Sequence, residues 1–181
     1  MYIAILRGIN VSGHHIIKME ALRNSLQALD FQHVKTYIQS GNIIFQSDIR
    51  DVLALEQKIK HMILQDFGYE IPCLVIRSND LKTILNQNPL LTDKNKDQSY
   101  FHVTLLSKVP EIQDLSLIVD KKQPDEEIFL IDRAVYLYCP NGYGKTKLTN
   151  NFIESKLKVS ATTRNWKTLH ELLKIASENK D

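Results

Sequence analysis

The chain has 181 residues, a formal net charge of +2, and hydrophobic and charged fractions of 43% and 24%. These values are ordinary for a globular protein and allow one large domain or two small ones. No stretch approaches the roughly 20 apolar residues that a membrane-spanning helix needs. The start of the chain lacks the basic segment that opens a signal peptide, so we predict no membrane association and a cytoplasmic location.

Basic charge is concentrated towards the C-terminus. Residues 144–181 contain eight Lys or Arg against four Asp or Glu, whereas the rest of the chain contains fifteen against seventeen. This asymmetry favours an anionic partner near the segment. The alternative is a solvated helix surface that binds nothing.

The first half of the chain alternates strand and helix patterns. Residues 2–9 form an apolar strand, and a helix with its apolar stripe at i, i+3, i+7 and i+10 follows over residues 19–29. The remaining elements are strands over 34–39, 43–45 and 71–76, and a helix over 52–63 whose N-cap we assign to Asp48. The order β-α-β-β-α-β is that of a ferredoxin-like unit. A short helix over 78–87 and a polar linker over 92–99 come next.

The second half repeats this order more faintly. Strands are predicted over 100–106, 127–131 and 134–138, with a vestigial last strand over 159–161. A short helix begins at Pro110 with Ile112, Leu115 and Val119 as its stripe, a longer one covers 147–157, and a final helix buries Trp166. We therefore predict an α+β protein of two sequential ferredoxin-like sandwich units, 1–90 and 91–181, the second of which includes the C-terminal helix.

Two cysteines and an adjacent histidine pair are the candidate metal ligands in the sequence. Cys73 and Cys139 both fall in apolar strand-like runs, where free cysteine usually packs in the core. The pair His14-His15 would need partners from elsewhere in the chain, and no clustered ligand spacing is present. We predict no metal site and no cofactor.

Two glycine-containing segments imitate a phosphate-binding P-loop. Residues 8–15 lack the required lysine, and residues 139–146 lack the first glycine, so ATP hydrolysis is not predicted. A weaker hypothesis survives for residues 140–147, because we expect this loop to lead directly into a helix whose first-turn N–H groups favour an anion. The alternative is a plain strand-to-helix turn with Thr146 as the N-cap.

The sequence gives little support for nucleic-acid recognition by base stacking or for a known catalytic motif. Residues 40–47 lack the aromatic pattern with which an RNA-recognition domain stacks bases. We find no nucleophile elbow and no recognisable cysteine–histidine pair. Arg164 and Asn165 lie at a predicted helix start, for which Thr162 and Thr163 are the cap candidates. The guanidinium group of Arg164 can bind a carboxylate or phosphate through two parallel hydrogen bonds.

Five sequence blocks taken together resemble an uncharacterised bacterial family, the domain-of-unknown-function family numbered 1697. The blocks are residues 6–13 (LRGINVSG), 36–42 (TYIQSGN), 140–142 (PNG), 147–150 (KLTN) and 161–166 (ATTRNW). The chain departs from the family pattern at Ser12, where a glycine is typical, and at residues 145–147, where Arg-Ser-Lys is often found. The resemblance implies a duplicated ferredoxin-like fold and supplies no activity.

These blocks fall mostly on loops and element ends and are rich in groups that orient polar ligands. We expect one cleft between the two units to bind a phosphate-bearing small molecule or a nucleic-acid segment. The candidate residues are Arg7, Asn10, Gln39, Asn42, Lys145, Lys147, Arg164 and Asn165. Two alternatives remain open: a small enzyme acting on an anionic substrate, and an interaction or structural protein whose polar motifs only build turns. An exposed edge strand could support a homo-oligomer, but the sequence does not indicate one.

Overall fold

The computed structural model describes residues 1–178, except the side chain of Leu117. The chain divides into two compact units, which we call unit 1 (residues 1–83 with 171–181) and unit 2 (residues 84–170). Within residues 1–178 the protein is mixed α+β, with two four-stranded antiparallel sheets. The division at residue 90 stays a prediction.

Unit 1 contains the first sheet and the helices that cover one of its faces. Its elements are β1 (Tyr2–Leu6), α1 (Met19–Gln27), β2 (Gln32–Tyr37), β3 (Asn42–Gln46), α2 (Val52–Phe67) and β4 (Cys73–Arg77). Helix α3 (Ser78–Asn86) follows directly. The strand order is β2-β3-β1-β4, so that β2 and β4 are the edge strands. The predicted elements are confirmed in type and order, with ends shifted by a few residues.

The core of unit 1 lies between its sheet and helices α1 and α2. Leu22 and Leu26 of α1 and Ile59 and Ile63 of α2 are buried against the sheet. The N-cap of helix α2 is Asp51 rather than the predicted Asp48, and the Asp51 carboxylate accepts the Leu53 N–H at 2.9 Å. Asp48 is therefore not the cap.

The opposite face of this sheet is buried as well. Ile3, Ile5, Ile44 and Ile76 alternate with the residues that face the helices, and each has no exposed surface. An RNA-recognition domain stacks bases on an open sheet face. Burial on both faces removes that platform from unit 1.

Unit 2 contains the second sheet. Its elements are β5 (Phe101–Leu106), α4 (Ser116–Val119), β6 (Glu127–Ile131), β7 (Ala134–Tyr138), α5 (Asn150–Leu157) and β8 (Ala161–Asn165). Three short 3-10 turns lie at Pro89–Thr92, Gln98–Tyr100 and Tyr143–Lys145, and helix α6 (Trp166–Glu178) follows β8. The strand order is β6-β7-β5-β8. The hairpin predicted across Asp132 and Arg133 is confirmed, with Ile131 opposite Ala134.

Three predictions for unit 2 are wrong. Pro110 does not begin a helix: α4 covers only Ser116–Val119, and Ile112 is 52% exposed. Helix α5 begins at Asn150 rather than at residue 147. Strand β8 is full-length rather than vestigial, and pairs with β5 from Ala161 to Asn165.

One device protects an edge strand in each unit. The Glu56 carboxylate on α2 accepts the Val75 N–H of β4 at 2.8 Å. The Glu154 carboxylate on α5 accepts the Ala161 N–H of β8 at 2.8 Å. Edge strands present unpaired main-chain groups that invite further pairing, and each glutamate satisfies one of them.

Both cysteines are free and buried. Burial, reinforced by nearby Glu56, raises the pKa of the Cys73 thiol well above its ordinary value. Burial likewise raises the pKa of Cys139 to about 12. The predicted role of both residues in core packing is confirmed. Trp166 is also buried as predicted. Its ring packs edge-on against Phe101, with the two ring centroids 6.0 Å apart.

Candidate ligand-binding residues

Asn10 is the centre of a hydrogen-bonded group at one end of the first sheet. Its side-chain amide donates to the Ile17 carbonyl at 3.0 Å and to the Gln39 carbonyl at 2.9 Å. Its side-chain oxygen accepts the Ile17 N–H at 2.8 Å. The loop after β1 is therefore tied both to itself and to the β2–β3 turn, and the Asn10 amide is occupied by main-chain partners.

The same end of the sheet carries Arg7, Gln39 and Asn42. The main-chain N–H of Arg7 donates to the Pro72 carbonyl at 3.0 Å, which places Arg7 beside the start of β4. The Gln39 side chain is exposed. Asn42 is fully buried, and its amide donates to Tyr37 and Ser40 within the β2–β3 turn. The four candidates of unit 1 thus lie together, but Asn10 and Asn42 build the turns.

Backbone strain accompanies this loop end. Ile38 has a φ of +51° and is 52% exposed. A β-branched side chain in the left-handed region is a genuine outlier that costs of order 1–3 kcal/mol. Strain of this kind concentrates at binding and catalytic sites, and here it lies next to Gln39.

Arg164 lies on β8 at one end of the second sheet. Its guanidinium donates to the Thr163 carbonyl at 2.9 Å and reaches the Thr162 hydroxyl at 3.4 Å. Burial lowers the pKa of Arg164 to about 10, and the Tyr143 phenol nearby opposes that shift. The side chain remains a cation at neutral pH, in a place where water solvates it poorly.

Lys145 and Lys147 lie in the loop between β7 and α5, and both are exposed. The expectation that this loop runs directly into the helix is wrong. A 3-10 turn covers Tyr143–Lys145, and Thr149 rather than Thr146 caps α5 by accepting the Phe152 N–H at 3.3 Å. The lysines therefore precede the helix and do not stand at its N-terminal amides.

Asn165 is the cap of helix α6. Its side-chain oxygen accepts the Thr168 N–H at 2.8 Å. Thr162 and Thr163, the cap candidates of the sequence analysis, lie within β8 instead. The Asn165 side chain is therefore used to cap the helix. Arg164 is the preceding residue of β8 and does not serve as a cap.

A buried polar chain in unit 2 was missed by the sequence analysis. Thr163 donates to the Asn150 side chain at 2.6 Å, and its hydroxyl lies 2.7 Å from that of Thr104. Because a hydroxyl has one proton, Thr104 supplies the second bond. His102 lies on β5, as Thr104 does, and its ring stacks on that of Tyr143 with ring centroids 4.8 Å apart. The signal was present as polar residues at positions 102 and 104 of β5 and over residues 162–165 of β8.

Two further observations bear on the chemistry. No group of three or more His, Cys, Asp or Glu side chains among residues 1–178 could hold a metal ion. None of the helices in the described part of the chain is long and apolar enough to cross a membrane.

The chain is similar to a protein family and to a solved structure. Residues 1–136 match the protein family of unknown function DUF1697, and the chain belongs to that family. A solved structure described as that of the conserved bacterial protein SP0830 from Streptococcus pneumoniae is similar to it. The identity is 22%, the match covers 97% of each chain, and the TM-score is 0.74, a likeness that establishes the fold alone. No curated protein matches the chain.

Proposed function

We propose that the protein is a duplicated ferredoxin-like binding module for a ligand that carries phosphate. The duplication is supported by strand order, because the first-, second-, third- and fourth-occurring strands of each unit are arranged 2-3-1-4. Equivalent main-chain bonds follow the first strand of each unit. They join Leu6 N–H to Gly41 and Arg7 N–H to Pro72 in unit 1, and Leu106 N–H to Arg133 and Ser107 N–H to Ser160 in unit 2.

The observation that carries the ligand class is the position of Arg164. Its guanidinium is largely removed from water, beside Tyr143 of the loop that holds Lys145. A phosphate approaching this end of unit 2 would gain a charge-assisted hydrogen bond from a poorly solvated cation, with the exposed lysines adding attraction. Arg7 and Gln39 offer a second polar group in unit 1. The prediction that both groups line one cleft stays a prediction, as does a cytoplasmic location.

The test is a thermal-shift screen with nucleotides, sugar phosphates, short RNA and short DNA. A ligand at 100 times its dissociation constant stabilises by about 2.7 kcal/mol, which raises Tm by several degrees in a chain of this size. We expect the shift to fall in an Arg164→Met variant and in a Lys145→Ala/Lys147→Ala variant. The matched control is Lys94→Ala/Lys121→Ala, which removes the same charge from exposed positions of unit 2. A shift that the control loses equally would reflect net charge and reject the site.

The second candidate function is a structural or interaction protein, and a specific observation favours it. Asn10, Asn42 and Asn165 use their side chains on main-chain groups of turns and a helix start. Side-chain amides that are satisfied by main-chain groups in this way hold turns and a helix start in place, and Asn42 is also fully buried. If no anion in the screen stabilises the wild-type protein, this reading replaces the first.

A further inference from the structure

Two loops of unit 1 expose large apolar side chains at the same end of the first sheet. Val11 and Ile16 lie in the loop after β1 and expose 56% and 55% of their surfaces, and Ile38 in the β2–β3 turn exposes 52%. Among the large apolar residues that the structure describes, only Leu53 exposes a larger fraction than Val11 does. We call Val11, Ile16 and Ile38 the apolar tips. Exposed apolar side chains that cluster in this way indicate a surface that a partner covers.

The hydrogen bonds of Asn10 bring the apolar tips together. The Asn10 amide donates to the Gln39 carbonyl at 2.9 Å and to the Ile17 carbonyl at 3.0 Å. Both partners directly follow an apolar tip in the chain, and Val11 directly follows Asn10. The Val11 carbonyl in turn accepts the His14 N–H at 2.9 Å within a tight turn. The two loops are therefore tied to each other, with the tips held on one part of the surface.

Ile38 is unfavourable for the folded chain in two ways. Its φ of +51° lies in the left-handed region that a β-branched side chain rarely adopts. Its apolar side chain is also exposed to water. An asparagine at this position would relieve the strain and remove the exposed apolar group together. Strain that persists at an exposed apolar residue is explained if that side chain makes contact with a partner.

The two loops carry basic charge around the apolar tips. Residues 7–18 and 35–42 contain no Asp or Glu and three cationic side chains, a local charge of +3 with the histidines neutral. The cationic residues are Arg7, Lys18 and Lys35, and both lysines are exposed. Acidic residues follow on α1, at Glu20, and before β4, at Glu70, so the excess is local. A partner with an anionic surface and an apolar interior complements this arrangement.

We propose that this loop end of unit 1 binds the surface of an anionic lipid bilayer. The apolar tips enter the boundary between headgroups and acyl chains, while Lys18 and Lys35 attract the anionic headgroups. A fluid bilayer accommodates apolar side chains without a preformed pocket, whereas a protein partner must offer a packed pocket for its anchors. The prediction of no membrane association rests on the lack of a spanning segment and of a signal peptide. A surface contact through two loops needs neither.

The experiment measures cosedimentation of the full chain with vesicles. One set contains phosphatidylcholine and phosphatidylserine, and the other contains phosphatidylcholine alone. We expect binding to the mixed vesicles to be at least about tenfold tighter, because each exposed lysine near an anionic surface contributes about fivefold. Equal binding to the two sets would contradict the role of the basic residues.

Substitutions of the apolar tips test their contact with the bilayer. Ile16→Asn and Ile38→Asn should each weaken binding to the mixed vesicles by about tenfold. Ile38→Asn is the sharper test, because it relieves backbone strain and so separates loss of binding from loss of folding. Leu53→Asn is the matched control, because Leu53 is 58% exposed in the same unit but lies on α2, outside the two loops.

Charge variants test the basic residues separately. Lys18→Ala/Lys35→Ala should weaken binding to the mixed vesicles by about tenfold or more. The matched control is Lys94→Ala/Lys121→Ala, which removes the same charge from exposed positions of unit 2 and should bind as the wild type does. If both double variants lose binding equally, the vesicles respond to net charge and the proposal is wrong.

A fluorescent label distinguishes insertion from adsorption. An environment-sensitive fluorophore attached to Ile16→Cys should shift its emission to shorter wavelength on the mixed vesicles, and the same label on Leu53→Cys should not. Cys73 and Cys139 are buried and their thiol pKa values are raised, so the introduced thiol is the reactive one. An unchanged spectrum at position 16 would show that the apolar tips stay in water, against the proposal.

Further outcomes would overturn the proposal. The first is that the mixed vesicles do not bind the wild-type chain, and the second is that Leu53→Asn weakens binding as much as Ile38→Asn does. A wild-type dimer that Ile38→Asn dissociates in ultracentrifugation would show that a second copy covers the tips. Vesicle binding that Arg164→Met abolishes and Ile38→Asn leaves intact would place the headgroup in unit 2. The thermal-shift screen uses soluble phosphates and Arg164, so failure of the phosphate proposal is distinguishable from failure of this one.

Discussion

A single methyl group added at Gly41 tests how tightly the β2–β3 turn packs on the first strand. Gly41 has a φ of +79°, in the left-handed region that costs an L-residue roughly 1–2 kcal/mol. An added Cβ would lie 2.7 Å from the Leu6 Cβ and 2.9 Å from the Ile9 Cδ1. The Leu6 Cβ moves only with the backbone of β1, so this overlap adds about 1–3 kcal/mol of overpacking. We expect Gly41→Ala to lower the free energy of unfolding by about 2–5 kcal/mol.

The matched control is Gly13→Ala. Gly13 has the same φ of +79°, but an added Cβ would meet nothing within 4 Å. The expected loss is about 1–2 kcal/mol. Both replacements restrict the unfolded chain alike, so their difference isolates the contact with β1. Urea unfolding followed by circular dichroism measures each free energy. Amide exchange of Leu6, which donates to Gly41 at 2.8 Å, should accelerate only in Gly41→Ala. Equal losses in the two variants would refute the reasoning.

Three other perturbations have expected outcomes. Ile38→Asn should raise the free energy of unfolding by roughly 1 kcal/mol in a urea titration, because asparagine tolerates a positive φ better than isoleucine does; a loss would contradict the strain. Glu56→Ala should lower it by about 1–3 kcal/mol, because the Val75 N–H loses its acceptor, and exchange of that amide should quicken. Burial lowers the pKa of His102, so the unfolded chain binds a proton first as the pH falls. Stability should be full above the unfolded value of 6.5 and decrease as the pH falls through it towards the folded pKa. In thermal melts His102→Gln should flatten part of this decrease, and His170→Gln should flatten another part, since burial lowers the pKa of His170 as well.

The role of the asparagines could not be separated from binding by sequence alone. Asn10 and Gln39 are 29 residues apart, and only the folded chain brings the Asn10 amide to the Gln39 carbonyl. The motif places both residues on loops or element ends and predicts that they line a cleft, which stays a prediction. It does not distinguish a side chain that binds a ligand from one that satisfies a turn, because both need the same amide.

The exposure of Leu64 on helix α2 had no detectable signal in the chain either. Residues 57–64 follow an ordinary amphipathic pattern, in which Leu64 is indistinguishable from a core position. Leu64 is nevertheless 44% exposed, beside a groove whose other wall is formed by residues 70–72. Pairing between distant segments is not encoded in local periodicity.

The sequence by itself determined the type and order of most elements, since periods of two and 3.6 residues and turn residues act locally. It was less reliable wherever an element end depends on a cap or a ladder. Residues 110–115 carry a helical stripe but form no helix, and β8 extends to Asn165 because β5 offers five residues to pair with. Tertiary structure alone decided which polar side chains hydrogen-bond to the backbone and which remain accessible to a ligand. Burial and hydrogen-bond satisfaction are properties of the assembled chain, and they arise only when distant segments meet.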